Sequence, residues 1–228
     1  MVHGEERQPA AATPSAGDGS GTVFCDFDGT ITEADTLQAV VQHFLPASAG
    51  EVLADIGRGT ISLRTGIERL IGALPSARAD DIREFVNRQP LRAGFETFLL
   101  RMRERNMPVV VISSGMRFCV EARLAPWRHL LHRIYALDVA LDQPRMRARI
   151  VDGNALEAVP KADILLRYPV RPRIVIGDSL SDQSMALQAD ITFARDRLLT
   201  FLHRRGSPAI AYRDFHDILR AFPSTGIA

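Results

Sequence analysis

Lysine is the residue type that this sequence most clearly lacks. Of its 28 basic residues 27 are arginine, and Lys161 is the only lysine. A coding bias toward arginine would explain a single lysine at any position. A tight anion pocket would explain it equally well, because lysine is a compact point charge whereas arginine is a wide planar fork. The lysine count alone leaves both explanations open.

Several other absences limit the class of protein. Two cysteines, Cys25 and Cys119, are too few for a disulfide framework. A net charge of +1 gives no global field that would favour nucleic acid or an anionic membrane. No apolar run reaches the roughly 18 residues of a membrane span, and the Ala-, Gly-, Pro- and Ser-rich residues 1–21 lack the apolar core of a signal peptide. We therefore expect a cytoplasmic protein with a disordered tail over 1–21 and with neither nucleic acid nor a membrane as its partner.

Short apolar runs predict the strands of a buried parallel sheet. Alternation of such runs with helical patterns is typical of a doubly wound, Rossmann-like α/β fold. The predicted strands lie at 22–29, 107–115, 171–179, 190–196 and, as an edge strand, 207–214. Helical patterns cover 93–106, 181–190 and 212–222. The stretch 133–151 resembles an antiparallel pair that turns at 142–145.

The interval 34–90 differs from the rest of the chain. It contains several short helical patterns and no convincing strand. An ordinary βα loop has about 2–6 residues, so this interval predicts a helical cap inserted after the first strand. The core domain would then comprise 22–33 and 91–228.

The stretch DFDGT at 26–30 places two carboxylates at the end of the first predicted strand. Asp26 and Asp28 are two residues apart, so their side chains would face the same side of a regular strand. Two like charges this close are unfavourable unless a cation binds or one carboxyl keeps a proton. Metal-assisted phosphoryl transfer uses such a pair. A calcium-binding turn is the alternative, although Leu37 stands where an EF-hand loop has its glutamate.

Two further strand ends carry polar residues that suit the same chemistry. Asp178 and Asp182 follow the strand that begins at 171, where a carboxylate can approach a cation or merely cap the next helix. Ser113 and Ser114 close the strand that begins at 107. Hydroxyl and free backbone N–H groups at a helix start bind anions, and simple helix capping is again the alternative.

The order of these elements resembles that of the haloacid dehalogenase superfamily, specifically its phosphatases. The order is Asp-x-Asp-Gly-Thr, then an apolar run with serine, then lysine, then Gly-Asp-x-x-x-Asp. Lys161 occupies the family's lysine position, which favours the ammonium explanation. Similarity to the phosphoserine-phosphatase-like branch runs over most of 22–220, and the sequence resembles the phosphatases of methionine salvage. The segments that carry this resemblance are FCDFDGTIT, ISLRTGIERLIGALPS, LRAGFETFL, VISSGM and IGDSLSDQSMALQADITFARDRLL.

The resemblance implies a Mg²⁺-dependent phosphatase that hydrolyses a small-molecule phosphomonoester through an aspartyl-phosphate. It implies that Asp26 attacks phosphorus and that Asp28 protonates the leaving oxygen and then activates water. The implied Mg²⁺ ligands are Asp26, the backbone carbonyl of Asp28, and Asp178, with Asp182 in a supporting position that orients Lys161 or a metal-bound water. The implied phosphate-binding residues are Ser113, Ser114, Gly115 and Lys161.

Substrate specificity is expected to depend on the cap. In phosphoserine phosphatases a glutamate after the first motif and an arginine in the cap help to hold the amino acid. This sequence has Asp35 at the first position and Glu68 near the second, which argues against phosphoserine as the substrate. The cap candidates for specificity are Asp35, Arg64 and Arg69, and a solvated basic helix face is the alternative for the two arginines.

Three other functions stay open. The chain could be a phosphotransferase or phosphomutase, a phosphatase of another biosynthetic pathway, or a non-catalytic binding protein on the same fold. Retention of all the motif residues argues against the last of these. Asp28 argues against a dehalogenase, because displacement of a halide requires no proton donor. The sequence predicts neither the pathway nor the oligomeric state.

Overall fold

A computed structural model describes residues 21–47, 49–150 and 154–222. Within these residues one sheet has the strand order β4-β3-β2-β1-β5-β6-β7. The strands are β1 (Thr22–Cys25), β2 (Val109–Met116), β3 (Arg133–Ala140), β4 (Arg147–Arg149), β5 (Arg173–Gly177), β6 (Ile191–Ala194) and β7 (Ile210–Ala211). Neighbouring strands are parallel except β3 and β4, which form the predicted antiparallel pair.

The helices of the described residues alternate with these strands. The α-helices are α1 (Thr36–Phe44), α2 (Ala49–Arg58), α3 (Leu63–Ala73), α4 (Ala79–Asn87), α5 (Phe95–Glu104), α6 (Arg117–Leu124), α7 (Lys161–Leu166), α8 (Gln183–Ala186), α9 (Asp196–Arg204) and α10 (Phe215–Ala221). Short 3₁₀ helices cover Ser76–Arg78, Ala125–Leu130 and Leu180–Asp182. This alternation confirms the predicted doubly wound, Rossmann-like α/β class.

Side chains of the central strands alternate between two hydrophobic clusters. Val23 and Cys25 of β1 belong to one cluster, whereas Phe24 belongs to the other. Val111 and Val110 of β2 divide in the same way. Burial of one such side chain stabilises the fold by about 1.5–3 kcal/mol relative to exposure. Because both faces of the sheet are covered, the central strands are continuous apolar runs, as predicted from the sequence.

The residues at 34–90, here called the cap region, contain α1 to α4. The side chain of Asp35 accepts a backbone N–H in the first turn of α1, and Ser62 does the same for α3, which satisfies donors that a helix start leaves unpaired. Buried residues of α1, α3 and α4 join the cluster that contains Phe24. The tip of the β3–β4 hairpin reaches this region, where Met146 N donates to Leu74 O at 2.9 Å.

One predicted helix, at 181–190, is much shorter in the structure. The helical pattern at 181–190 forms only a 3₁₀ turn, Leu180–Asp182, followed by the single turn of α8. A capping box of Ser179 and Asp182 starts this segment. The helix ends early because the chain turns to join the sheet, where Asp190 N donates to Arg173 O at 2.9 Å. The tail predicted at 1–21 lies outside the described residues except for Gly21. None of the helices in the described ranges has the length and apolar content that crossing a bilayer requires.

Candidate active site

The carboxyl ends of β1, β2 and β5 converge beneath a cavity of about 910 Å³. The chain runs outward from β1 to β2 and β3 on one side, and β5 lies on the other side of β1. Ligands bind at such a switch point in doubly wound sheets. The polar side chains predicted for the site meet there. Asp26, Asp28 and Ser114 line the cavity itself, together with Gly115.

Lys161 lies directly under the cavity floor, at the start of α7. Its side chain is 1 % exposed, and its Nζ donates to Asp26 Oδ1 at 2.5 Å and to Asp182 Oδ1 at 2.6 Å. Burial alone would lower the pKa of this ammonium, but the two carboxylates outweigh burial and raise it. The single lysine is therefore a buried cation shared by two acids, a role that suits a compact ammonium better than a wide planar guanidinium.

Asp28 is held by both of its carboxylate oxygens. Oδ1 accepts hydrogen bonds from the backbone N–H of Thr36, at 3.2 Å, and from the Thr36 hydroxyl. Oδ2 accepts one from Ser113 Oγ at 3.0 Å, and that hydroxyl in turn accepts the N–H of Gly115 at 2.8 Å. Burial raises the pKa of Asp28, and the hydrogen bonds from Thr36 and Ser113 oppose that rise. The two neighbouring aspartates thus have different partners: an ammonium for Asp26 and hydroxyls for Asp28.

Asp26, Asp178 and Asp182 form an acidic cluster. Each offers one carboxylate oxygen, and these atoms lie within 4.8 Å of one another. Burial and the charge of Asp182 raise the pKa of Asp26 well above its usual range and raise that of Asp178 to about 7. Surplus negative charge in a buried site is unfavourable without a cation. Hard oxygen donors suit a hard divalent ion, so this donor set fits Mg²⁺.

Two glycines allow the close approach of backbone and carboxylates. Gly29 has φ +77°, and a Cβ there would lie 2.4 Å from Asp178 Oδ2. A Cβ on Gly115 would lie 2.8 Å from Asp28 Oδ2 and 3.0 Å from Ser113 Oγ. A side chain at residue 29 would collide with Asp178, and one at residue 115 would collide with Asp28 and Ser113. Both positions therefore require glycine, and residue 29 requires it also because its backbone is left-handed.

The wall that the cap region contributes is mostly apolar. Five apolar side chains of the cap region line the cavity, beside the polar Thr60 and Ser62: Leu37, Ile56, Ile61, Leu63 and Ile67. Asp35 is the only charged residue that the described part of the cap region adds to the lining. Arg64 and Arg69 are not in the lining. Arg64 instead pairs with Glu68 and donates to Asn154 O at 3.0 Å, which links the cap region to the core.

Two residues beneath or beside the cavity have roles that sequence reasoning did not find. Thr36, which holds Asp28, follows a helix N-cap and so looks like an ordinary first helical residue. Arg92 is 8 % exposed, and it donates to the carbonyls of residues 29, 30, 32, 33 and 213. It thereby fixes the loop between the two aspartates and α1. No local pattern marks it, because its partners are backbone atoms about 60 and 120 positions away.

A profile of the haloacid dehalogenase-like hydrolases matches residues 23–187 of the chain. The chain belongs to the haloacid dehalogenase-like hydrolase family. The match contains every residue of this family site described above, from Asp26 to Asp182. It confirms the family expected from the order of the motifs.

Curated relatives within this family share the length of the chain. A phosphatase of 2-hydroxy-3-keto-5-methylthiopentenyl-1-phosphate from Microcystis aeruginosa is 34% identical over 199 residues, which cover 86% of this chain and 94% of the relative. A protein of the same name from Geobacillus kaustophilus is 33% identical over 211 residues, 87% and 94% of the two chains.

Solved structures of phosphoserine phosphatases share the fold. One, with a phospho-aspartyl intermediate analogue, has a TM-score of 0.69 at 17% identity and covers 88% of this chain and 97% of its own. A substrate-bound phosphoserine phosphatase has a TM-score of 0.70 with the same identity and coverage. At this identity the similarity supports the haloacid dehalogenase-like fold and not a substrate.

Proposed function

We propose that this chain is a Mg²⁺-dependent phosphatase that hydrolyses a small phosphomonoester through an aspartyl-phosphate. The enzyme class, phosphoric monoester hydrolase, is confirmed by the family and by its phosphatase relatives. The single observation that carries the mechanism is the pair of aspartates under one cavity with different partners. Asp26 is paired with the buried Lys161, whereas Asp28 is held by hydroxyls. Neighbouring carboxyls in different environments can serve as nucleophile and as acid.

The two proposed steps follow from those environments. A carboxylate oxygen of Asp26 attacks phosphorus, and the P–O bond to the leaving group breaks as Asp28 gives its proton to the leaving oxygen. Asp28 then takes a proton from a water, whose oxygen attacks phosphorus and breaks the Asp26–phosphate bond. This returns the Asp26 carboxylate and the protonated Asp28.

The remaining predicted residues hold the phosphoryl group. We propose that Lys161 and the Ser113 hydroxyl, with the backbone N–H groups at Ser114 and Gly115, contact its oxygens. Asp182 has both oxygens engaged, one by Lys161 and the other by the backbone N–H groups of residues 178 and 179. It therefore acts as a support for Lys161. Positioning of this kind accounts for most of the catalysis in phosphoryl transfer.

The residues that would hold Mg²⁺ are Asp26, the backbone carbonyl of Asp28, and Asp178. Thr30 Oγ donates to Asp178 Oδ1 at 3.1 Å and so orients that carboxylate. When bound, Mg²⁺ supplies positive charge that offsets the negative charges of the phosphate and the acidic cluster.

We further propose that the substrate carries an apolar group, as the methylthio ester of the relatives does. The support is the wall of five apolar side chains from the cap region, which matches a hydrocarbon or thioether better than the charged amino acid of phosphoserine. On this proposal the cap region, 34–90, is a separate cap domain over a core of 22–33 and 91–228. A cytoplasmic location stays a prediction from the sequence.

The test is phosphate release from a panel of esters, with Mg²⁺ or with EDTA. The panel contains phosphoserine, sugar phosphates, pyridoxal phosphate and the methylthio ester, and each is assayed with wild type and Asp26→Asn. We expect Mg²⁺-dependent release that favours the methylthio ester and disappears in the variant. Full activity of Asp26→Asn, or activity that EDTA does not change, would contradict the mechanism. Transfer of phosphate to a second product without its release would indicate a phosphotransferase.

A further inference from the structure

Thr36 joins the cap region to the residue proposed as the general acid. It is the first residue of α1 and is 5% exposed. Both its backbone N–H and its hydroxyl point at the same oxygen, Asp28 Oδ1. The helix start does not need this hydroxyl, because Asp35 already provides the N-cap. Among the described residues, the Thr36 hydroxyl forms a hydrogen bond only with Asp28.

The second side chain on Asp28 has a competing task. Ser113 donates its single hydroxyl hydrogen to Asp28 Oδ2, and its oxygen accepts the N–H of Gly115. In the proposed mechanism this hydroxyl contacts a phosphoryl oxygen when substrate binds. It cannot donate to both oxygens at once. Substrate binding would thus release Oδ2 of Asp28 and leave Thr36 as the side chain that keeps the carboxyl in place.

We propose that Thr36 is a positioning residue that orients Asp28 for proton transfer to the leaving group. The inference rests on the proposed function, because it assumes that Asp28 is the acid. Thr36 holds Oδ1, so that Oδ2, freed from Ser113, faces the cavity and carries the proton. That proton moves from Oδ2 to the ester oxygen as the bond from phosphorus to that oxygen breaks and the bond from Asp26 to phosphorus forms. The cap region therefore takes part in catalysis and not only in substrate selection.

Leaving groups of different basicity separate this role from a structural one. A p-nitrophenolate leaves without protonation, whereas phenolate and alkoxide need a proton. We would measure kcat/KM, which reports formation of the aspartyl-phosphate, for p-nitrophenyl phosphate, phenyl phosphate and an alkyl phosphate with Mg²⁺. Thr36→Val removes the hydroxyl and keeps the shape. General acids contribute about 10²–10⁴-fold, so loss of positioning should lower kcat/KM for phenyl and alkyl phosphate by about 10-fold or more. The value for p-nitrophenyl phosphate should fall by less than about 3-fold on the same reasoning.

Three variants complete the experiment. Thr36→Ser restores the hydroxyl and should return the phenyl and alkyl rates toward wild type. Thr65→Val is the matched control. Thr65 lies in the first turn of another cap helix, and among the described residues its hydroxyl hydrogen-bonds with Ser62 and not with Asp28. Asp28→Asn tests the assumption about the acid. Thr36→Ala replaces the valine variant if thermal unfolding shows that valine is not tolerated.

The outcomes are distinguishable. An equal loss for all three esters, or no loss for any, would overturn the role of Thr36 while leaving the proposed function intact. If Asp28→Asn itself loses no more activity on alkyl phosphate than on p-nitrophenyl phosphate, the acid is another group and this inference falls together with that part of the mechanism. A selective loss in Thr36→Val that serine repairs would establish the role.

Discussion

The floor and the cap-region wall of the cavity are built in opposite ways. The floor, on the carboxyl ends of the strands, is charged and polar. Its Lys161 and Asp182 are 1% and 0% exposed, and each has more than one hydrogen-bond partner. The wall is mostly apolar and has one charged residue, Asp35, in its described lining. A buried charge network loses a great deal when one member changes. An apolar wall can change one side chain at a time for about 1–3 kcal/mol each.

On the proposed mechanism, the floor carries the chemistry and the wall contributes the selectivity. The floor residues come from β1, β2, β5 and α7, which are far apart in sequence, so the sheet itself sets their distances. The wall comes from short helices and their connections, which have fewer constraints. Thr36 is the exception, because it belongs to the cap region and contacts the floor.

The largest effect is expected from replacing Lys161. Lys161→Met leaves Asp26 and Asp182 without their counter-ion, which for a buried pair costs roughly 3–5 kcal/mol of stability. Lys161→Arg keeps the charge but does not fit between the two carboxylates, so it should also lower kcat by about 10³-fold or more. Steady-state kinetics and thermal unfolding would measure both. The reverse exchange at an exposed position, Arg103→Lys, is the control and should change neither. If Lys161→Arg kept near-normal turnover, the floor would tolerate substitution as the wall does, and the contrast between them would be wrong.

A smaller loss of stability is expected from replacing Arg92, which holds the loop between the floor and the cap region. Arg92→Met leaves several backbone carbonyls of 29–33 unpaired, and each buried orphan costs about 1–3 kcal/mol before relaxation and water reduce the sum. We expect a net loss of about 2–3 kcal/mol, or about 4–12 °C in Tm for a chain of this size. Arg123→Met is the matched control, because Arg123 makes one such bond, to Gln89 O at 2.9 Å. Equal shifts in the two variants would show that the loop does not depend on Arg92.

The apolar wall should respond in selectivity and not in chemistry. Ile61→Ser should lower kcat/KM for pentyl phosphate by about 10-fold. It should leave phosphoserine within about 2-fold on the same basis. Leu53→Ser is the control, since Leu53 is also partly buried in the cap region but does not line the cavity. A parallel loss on both esters in Ile61→Ser would mean that the wall contributes to the fold and not to recognition.

The smallest effect is expected for ion pairs on the outside of the cap region. Arg88 and Glu84 form a pair at 2.7 Å in which both side chains are 67% exposed. Such pairs contribute about 0.2–0.5 kcal/mol in helices, so Glu84→Gln should move the urea midpoint only slightly. A loss as large as that of Lys161→Met would show that exposure does not separate the two kinds of ion pair.

Local patterns predicted the parts of the molecule that local physics determines. Buried parallel strands must be apolar along their whole length, so β1, β2 and β5 were found, and with them the strand ends that carry Asp26, Ser113 and Asp178. The capping box at Ser179 was harder to recognise, and the helix beyond it was predicted too long. The catalytic roles of these residues stay predictions.

Tertiary structure determined what the sequence could not predict. Charge favours Arg64 and Arg69 as specificity residues, but the orientation of α3 turns Leu63 and Ile67 toward the cavity instead. Thr36 and Arg92 bind partners that are adjacent only in space. A lone threonine after an N-cap and an arginine among 27 carry no local signal.

The most direct test of the account is to trap the phosphorylated enzyme. Enzyme mixed with substrate and Mg²⁺ is quenched in acid and reduced with borohydride, which converts an aspartyl-phosphate into homoserine, and the peptides are then identified by mass spectrometry. We expect homoserine at position 26, only when substrate is present. Homoserine at position 28 or 178 would contradict the assignment of Asp26 as the nucleophile. So would the absence of homoserine in an enzyme that turns over and whose second step is slow enough for the intermediate to accumulate.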